Sequence, residues 1–306
     1  MSNLRNTLQK RIERLRALPS SPAVLKPLLD LLRLEPEHID LKKVVELVSY
    51  DKTIAAQCLR IANSPLYGRR VTESIQAAIV ALGIQRVEDI LLTCCLHQFS
   101  AGSKWATDPE VYWKHSLGCA AVCRELAERI DFHEPDKAYL AGLLHDLGIL
   151  VNSLAYTDEY RDVVAKARDR GVPLAEQEMS DLGFTHAESG SILATMWQLP
   201  STVIEVIAFH HDVERAPVDH PLVALVHIGD LLCRYRGLGY GYEEWRSLDL
   251  ALDPAWEQLA KHVPRLANMD LARFTMDLDA FLPKVQHLVD AVFGVKKEQC
   301  TVEVSG

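Results

Sequence analysis

The chain has 306 residues, of which 48% are hydrophobic and 25% are charged, an ordinary balance for a globular protein. Its formal net charge of −9 argues against a protein built mainly to hold nucleic acid, so no nucleic-acid partner is expected. The seven cysteines form no CxxC pair, which indicates reduced thiols. We find neither a signal-peptide pattern nor an apolar run that looks long enough to span a bilayer. The expected location is therefore cytoplasmic, without a membrane partner.

Helix signals follow one another through the first hundred residues. An amphipathic helix is predicted near residues 4–16, because Leu4, Leu8, Ile12 and Leu15 recur at helical spacing; we interpret it as packing on its own domain. Capping residues and prolines then predict further helices over residues 21–34, 40–50, 51–63, 73–82 and 85–99. The small, polar segment 101–109 predicts a domain boundary.

The remainder of the chain also has a helical pattern, and no segment shows the alternation of a convincing strand. Asp108-Pro109 opens a long helix to about Ile130, and Glu134-Pro135 opens the helix that carries a His-Asp pair. Pro173, Thr185 and Pro200 introduce three more, with Thr185 and Glu188 matching a capping box. The later chain is predicted to contain a helix over 219–236, a turn-rich insertion over 237–254, helices near 255–266 and 278–293, and a loosely held tail over 296–306.

Histidines and aspartates interrupt several of these apolar helices. The chemically promising set is His115, His145, Asp146, His186, His210, His211 and Asp230. A buried aspartate such as Asp146 or Asp230 is costly unless it is paired or bound to a cation. Imidazole nitrogens and carboxylate oxygens are natural ligands of transition metals, and a set of this size could surround two ions. We therefore favour a metal site over a purely structural polar network.

A division of roles within the set follows from its chemistry. Asp146 could bridge two cations while histidines from separate helices bind each one, and such a pair of ions could polarise a phosphate and activate water. A competing detail is the row His115, Cys119, Cys123, spaced one helical turn apart. The cysteines are interpreted as small core residues rather than soft ligands. The histidines at positions 97, 220, 227, 262 and 287 are interpreted as half-buried polar residues.

The order His115, His145-Asp146, Asp230 resembles the HD superfamily of metal-dependent phosphohydrolases. Adding His186 and the His210-His211 doublet gives a set similar to that of its two-metal HD-GYP branch. The segment 48–93, which includes LRIANSPLYG and SIQAAIVALGIQRV, resembles the HDOD domain, an HD-related output domain of bacterial signalling. With the preceding LPSSPAVLKPLLDLL, the resemblance covers roughly residues 15–235.

The resemblance implies an all-α protein with an N-terminal helical bundle packed on an HD-like helical domain. We place the bundle at residues 1–105, the metal-binding part at 106–295 and a flexible tail at 296–306. The resemblance gives Asp146 the role of bridging carboxylate and the other six residues of the set the role of terminal ligands. The cofactor expected is a pair of divalent transition-metal ions, with iron as the first expectation and Mn, Zn and Co as alternatives.

The sequence also departs from the HD-GYP pattern. Ile149 stands where that branch has a lysine, no DGxGYP segment follows the His doublet, and GLGYGYEEW from Gly237 lies too late in the chain to replace it. Lys114, Arg69 and Arg70 are candidates for a positive lining of the site, although a solvated surface is the favoured interpretation for them.

These departures favour a regulatory or sensory signalling module with a protein partner. The alternative is a metal-dependent phosphohydrolase acting on a phosphorylated small molecule. An iron pair would add the possibility of a redox or oxygen sensor.

Overall fold

The computed structural model describes residues 8–13, 24–31, 33–34, 38–49, 51–67, 71–218, 220–243 and 252–293. These residues form α-helices and short 3₁₀ helices and contain no β-strand, which confirms the all-α class. The predicted start of a helix at Ser21-Pro22, the candidates Arg69 and Arg70, and the predicted tail all lie outside the described residues. The division of the chain near residue 105 stays a prediction.

Besides residues 8–13, the described residues of the first part form five helices, and the sequence signals place most of their ends within a few residues. They are α1 (Leu25–Leu31), α2 (Leu41–Ser49), α3 (Lys52–Ala62), α4 (Ile75–Leu82) and α5 (Ile84–Ser100). Asp51 caps α3 as predicted, because its side chain accepts hydrogen bonds from the backbone N–H groups of Thr53 and Ile54. Residues 8–13 are helical too, and Leu8 and Ile12 are buried in the core, as expected for a helix that packs on its own protein.

The described residues of the second part form ten α-helices. They are α6 (Pro109–Ile130), α7 (Pro135–Leu144), α8 (Leu147–Ala155), α9 (Thr157–Arg170), α10 (Leu174–Leu182), α11 (His186–Met196), α12 (Ser201–Phe209), α13 (His220–Tyr235), α14 (Pro254–His262) and α15 (Leu271–Phe293). Asp108 and Pro109 start α6 as predicted, with Asp108 accepting from Glu110 N–H. α6 packs against α7, α13 and α15, while α8 and α11 pack against each other. The first part meets the second where α5 contacts α7 and α3 contacts α15.

Four local predictions were wrong or incomplete. The helix α9 was missed, and α15 begins at Leu271 rather than near residue 278. Thr185 starts α11 but makes no side-chain capping bond, so the predicted capping box does not form. His145 and Asp146 do not lie within one continuous helix, because α7 ends at Leu144 and α8 begins at Leu147.

The stretch Pro135–Ala155 passes the length and composition test for a membrane span, contrary to the expectation that no run would. In the structure, 89% of the 18-residue apolar stretch within it is buried inside the protein. It comprises α7, the turn at His145 and α8, and it supplies core residues such as Leu143, Leu147 and Leu150. Its apolar character is therefore accounted for by packing within the fold.

Candidate metal centre

A two-residue turn carries the His-Asp pair into the interior. His145 has φ −53° and ψ −38°, and Asp146 has φ −97° and ψ 20°, so the chain leaves helical geometry at Asp146 before α8 starts. The turn lies against the start of α11, where a Cβ atom on Gly148 would overlap the carbonyl oxygen of His186. Only glycine permits this close approach, and the approach brings His186 beside Asp146.

The two oxygens of Asp146 face two different groups of ligand atoms. Asp146 Oδ2 lies 3.2 Å from His115 Nε2 and 3.3 Å from His145 Nε2. Asp230 joins this side, with Oδ1 at 3.3 Å from His115 Nε2. We call His115, His145 and Asp230, together with Asp146 Oδ2, group A.

The other oxygen serves the remaining histidines. Asp146 Oδ1 lies 3.3 Å from His186 Nε2 and 3.5 Å from His210 Nε2, and His211 Nε2 is 2.8 Å from His186 Nε2. We call His186, His210 and His211, together with Asp146 Oδ1, group B. The ligand atoms of His115, His145 and Asp146 lie within 4.8 Å of one another, as do those of Asp146 and the three group B histidines. Asp230 Oδ1 lies 3.9 Å from His145 Nε2. All seven residues of the predicted set are therefore neighbours in space.

Hydrogen bonds on the far side of four imidazoles fix which nitrogen faces inward. Nδ1 of His145 lies 2.8 Å from Gly142 O, Nδ1 of His210 lies 3.0 Å from Ile207 O, and Nδ1 of His115 contacts Leu238 O. A carbonyl oxygen only accepts, so each of these Nδ1 atoms carries the proton. Nδ1 of His186 is held in the same way by a carboxylate. Each inward Nε2 is then free to bind a metal, the arrangement usual for histidine ligands.

Several of the inward atoms lack partners of opposite polarity. The Nε2 atoms of His115 and His145 are 3.2 Å apart, and two neutral imidazoles with protonated Nδ1 present lone pairs to each other at that distance. Asp146 Oδ1, Asp230 Oδ1 and His210 Nε2 are buried without a hydrogen-bond partner among the described residues. Buried polar atoms rarely stay unpartnered in native proteins. The residues present therefore fit a pair of metal ions.

The titration behaviour of the metal-free cluster reflects the same crowding. Burial lowers the pKa of His115, but hydrogen bonds to Asp146 and Asp230 outweigh it and raise that pKa to about 9. Burial lowers the pKa of His211 well below its usual value, and the neighbouring His210 adds to this effect. For Asp230, burial raises the pKa, and Arg234 and His115 more than reverse that shift. In the absence of metal, protons on some of the imidazoles therefore supply the positive charge that the carboxylates attract.

Glu178 on α10 is a functional residue that sequence analysis missed. Its Oε2 accepts from the backbone N–H of His186 at 2.8 Å and lies 2.6 Å from His186 Nδ1. Its Oε1 accepts from the hydroxyl of Tyr160 at 2.5 Å. Burial lowers the pKa of His186, but the charges and hydrogen bonds of Glu178 and Asp146 together outweigh it, and the pKa rises to about 10. Glu178 therefore orients one imidazole of group B and makes it more basic.

The segment that follows α13 also reaches the centre, a contact that the sequence analysis did not predict when it set GLGYGYEEW aside as no replacement for DGxGYP. The Tyr240 hydroxyl donates to Asp146 Oδ2 at 2.9 Å, and its ring centroid is 4.8 Å from that of His115. Arg234, on the last turn of α13, donates to Asp230 Oδ2 at 2.8 Å. The chain folds back after Gly237, which has φ 75°, and this brings Tyr240 above group A.

A cavity of about 920 Å³ adjoins the centre. From group B it is lined by His186 and His211, whereas no residue of group A contributes to the described lining. Arg234 is the one Arg or Lys among the described lining residues, and Lys114 does not contribute. The acidic residues of the described lining are Glu176, Glu243 and Asp253.

Other sequence interpretations have clear outcomes. Ile149 is buried in the apolar core. Cys119 and Cys123 are buried with their sulfurs 3.7 Å apart, and neither belongs to a potential metal group, as expected for core cysteines. His227 is more than a half-buried polar residue, because Nδ1 contacts the carbonyl oxygen of His210 and Nε2 lies 3.3 Å from Asp253 Oδ2.

Comparison with known proteins identifies the family of the chain and shows that solved structures share its fold. The HDOD domain profile matches residues 18–213, more than half of the chain. The chain belongs to the HDOD family. An HDOD domain protein of unknown function from Geobacter sulfurreducens has a crystal structure that matches with a TM-score of 0.79 and 27% identity, over 95% of this chain and 99% of that one.

Two further relatives extend the comparison. A structure from Shewanella amazonensis SB2B named "Putative phosphohydrolase" has a TM-score of 0.69 and 21% identity, over 92% of this chain and 97% of that one; at this identity the likeness shows the fold alone. An uncharacterized protein of Treponema pallidum (strain Nichols) is 28% identical over 79% of this HDOD chain. The chain spans 47% of that relative's length.

Proposed function

We propose that this HDOD protein holds two transition-metal ions and acts as a signalling module whose state depends on that metal pair. The observation that carries the proposal is that the two carboxylate oxygens of Asp146 each face a separate group of inward imidazole nitrogens. The unpartnered Oδ1 atoms of Asp146 and Asp230 support it. Group A would hold one ion and group B the other, with Asp146 bridging them.

The donor set argues for the kind of metal. Five imidazole nitrogens and two carboxylates suit Fe, Mn, Zn or Co better than Mg or Ca, and iron is our first choice. The chain's own contribution is orientation: Gly142 and Leu238 hold the group A imidazoles by their carbonyl oxygens, and Glu178 holds His186. When bound, such ions would lower the pKa of a bound water and neutralise charge on a phosphate.

Metal analysis tests the proposal directly. Protein purified with and without oxygen should contain about two transition-metal ions per chain by elemental analysis. Asp146→Asn should lose both ions, whereas His211→Gln should lose only the ion of group B. Glu176→Gln is the matched control, because Glu176 lines the same cavity without belonging to either group, and it should retain both ions. Metal-free protein under both conditions would contradict the proposal.

The regulatory role has a separate test. A protein partner is proposed for the first part of the chain, where Val71 and Val80 are 78% and 82% exposed. If the metal pair controls that part, hydrogen exchange of amides in α3 and α5 should slow when metal is added to the metal-free protein. Unchanged exchange in these helices, with normal metal loading, would argue against regulation through the first part.

A phosphohydrolase is the second candidate, favoured by the cavity beside group B. A phosphorylated small molecule could enter there and meet His186 and His211. The three carboxylates of the described lining work against a ligand with many phosphates, since the one Arg is already bonded to Asp230. Metal-loaded protein should be tested on cyclic dinucleotides, nucleotides and model diesters, with Asp146→Asn as the control. Failure on the whole panel would remove this candidate.

A further inference from the structure

Residues 237–242, which we call the tyrosine segment, contact group A at two points. The Leu238 carbonyl oxygen accepts from Nδ1 of His115, and the Tyr240 hydroxyl donates to Asp146 Oδ2 at 2.9 Å. Tyr242 lies in the same segment, but its hydroxyl donates to Val172 O at 3.0 Å, away from the metal ligands. One phenol of the segment is therefore tied to the centre and a second is tied to the scaffold.

The oxygen that Tyr240 contacts is the one that serves group A. Asp146 Oδ2 is also the atom to which His115 and His145 are closest, at 3.2 and 3.3 Å. An ion bonded to that oxygen at about 2.1 Å would lie within about 5 Å of the phenol oxygen, whatever its direction. The Tyr240 hydroxyl consequently stands beside the place where an external ligand of group A would have to bind.

The cavity lining shows the same asymmetry between the groups. His186 and His211 of group B line the cavity, together with Tyr240 and Arg234, while no group A residue belongs to the described lining. The Tyr240 ring lies 4.8 Å from the His115 ring, so it forms the wall between the cavity and group A. A ligand that enters the cavity reaches group B directly and meets Tyr240 before group A.

The segment has backbone features that suit movement. Gly237 and Gly241, on either side of Tyr240, have φ of 75° and 82°, a region in which glycine loses little by changing conformation. Only one hydrogen bond, to Asp146 Oδ2, ties the Tyr240 hydroxyl to the centre among the bonds described. Breaking that bond frees both the carboxylate oxygen and the space beside it.

We propose that Tyr240 is a gate over group A, which an oxyanion must displace before it can bridge the two metal ions. The ligand class is a phosphate group, either free or as an ester, because its several oxygens can bind two ions at once. The inference rests on the proposed metal pair. It goes further because it assigns Tyr240 a specific role: the position of this side chain determines whether a ligand binds one ion or bridges both.

Tyr240→Phe and Tyr242→Phe are matched variants that test the gate. Each removes one hydroxyl from the same segment, and the ring that remains preserves the packing. Inorganic phosphate binding to metal-loaded protein is measured by titration calorimetry, alongside metal content and thermal unfolding. Tyr240→Phe should bind phosphate about tenfold more tightly than the parent protein, since a hydrogen bond to a charged group no longer has to be broken. Tyr242→Phe should bind phosphate like the parent protein.

The outcomes separate this inference from the proposed function. Absence of metal from the parent protein would remove the proposed function. Two ions in every protein, with equal phosphate affinity in Tyr240→Phe and the parent, would overturn the gate alone. Loss of one ion in Tyr240→Phe would also overturn it, because Tyr240 would then be holding the metal. Equal tightening in Tyr240→Phe and Tyr242→Phe would overturn the gate as well, since any loosening of the segment would suffice.

Discussion

Helix α6 contributes to two buried polar clusters that differ in how their charges are partnered. Near its N-terminal end His115 belongs to the metal centre. Near its C-terminal end Arg124 lies 3.1 Å from Asp89 and 3.2 Å from Asp136, and 3.9 Å above the Tyr139 ring. We call Tyr67, Asp89, Arg124, Asp136 and Tyr139 the junction network, because it joins α5 of the first part to α6 and α7 of the second.

The comparison shows what a buried polar cluster needs in order to be complete. In the junction network a guanidinium faces carboxylates, and the Tyr67 hydroxyl donates to that of Tyr139 at 3.0 Å, although Arg124 Nε itself has no hydrogen-bond partner among the described residues. In the metal centre imidazole nitrogens face each other at 2.8 and 3.2 Å, and carboxylate oxygens are left unpartnered. The first cluster supplies its own cation, whereas we propose that the second takes its cations from outside.

The largest expected effect comes from Gly148→Ala, which tests whether the metal centre depends on the contact of α8 with α11. The added Cβ would overlap the carbonyl oxygen of His186, so the helices must separate. We expect a loss on the order of 4 kcal/mol in the free energy of unfolding, measured in denaturant, together with loss of group B metal. Gly239→Ala is the control, since its Cβ would have 3.5 Å to its nearest neighbour. Normal metal content in Gly148→Ala would contradict the close packing.

Arg124→Met tests the other side of the comparison. It removes the guanidinium that Asp89 contacts and leaves Asp136 with only the partly exposed Arg86, so the protein should lose about 3 kcal/mol of unfolding free energy. Because the junction network does not share residues with groups A and B, folded Arg124→Met should retain its metal. Elemental analysis and denaturant unfolding of the same preparation check both parts. Loss of metal from folded Arg124→Met would mean that the two clusters are coupled.

Sequence patterns pointed to the residues that the structure brings together in groups A and B, because several of them interrupt apolar runs, which is a local signal. His145 and Asp146 follow AYLAGLL, and Asp230 follows LVALVHIG. The break between α7 and α8 was not predictable, since it depends on the approach of α11 to Gly148 rather than on a local breaker. Capping residues such as Asp51 and Asp108 predicted helix starts, because their bonds are to the next few residues.

Residues that support the ligands were missed because their contacts are distant in the chain. Tyr240 is 94 residues from Asp146, so no spacing in the sequence relates them. Glu178 is eight residues before His186, but it lies in an ordinary amphipathic helix and nothing local marks it. A tyrosine-rich turn after a ligand-bearing helix was the one available signal for Tyr240. Its position in the chain was given more weight than the possibility that the chain folds back.

Glu178→Gln sharpens the account of group B. The amide oxygen can still accept from His186 Nδ1, but the negative charge that raises the pKa of His186 is lost. Metal affinity should therefore fall by about tenfold to a hundredfold, measured by competition with a chromophoric chelator. Glu176→Gln is the control, because Glu176 lines the cavity from the same helix and contacts no ligand among the bonds described. Equal affinities in Glu178→Gln and the parent would remove the supporting role of the carboxylate.

The smallest expected effect concerns Glu88, which adjoins the junction network on α5. Burial raises the pKa of Glu88 to about 7 from its usual value of 4.5, so the folded protein binds this proton more tightly than the unfolded chain does. Unfolding free energy is therefore highest when Glu88 is protonated in both states, and it falls as pH rises from about 4.5 to about 7. Glu88→Gln removes this penalty and should be about 1–2 kcal/mol more stable than the parent at pH 8, but nearly equal to it at pH 5. Denaturant unfolding of both proteins at the two pH values measures the difference. A constant difference across that range would mean that Glu88 keeps its charge in the folded state, and that the junction network tolerates one more anion than its cation balances.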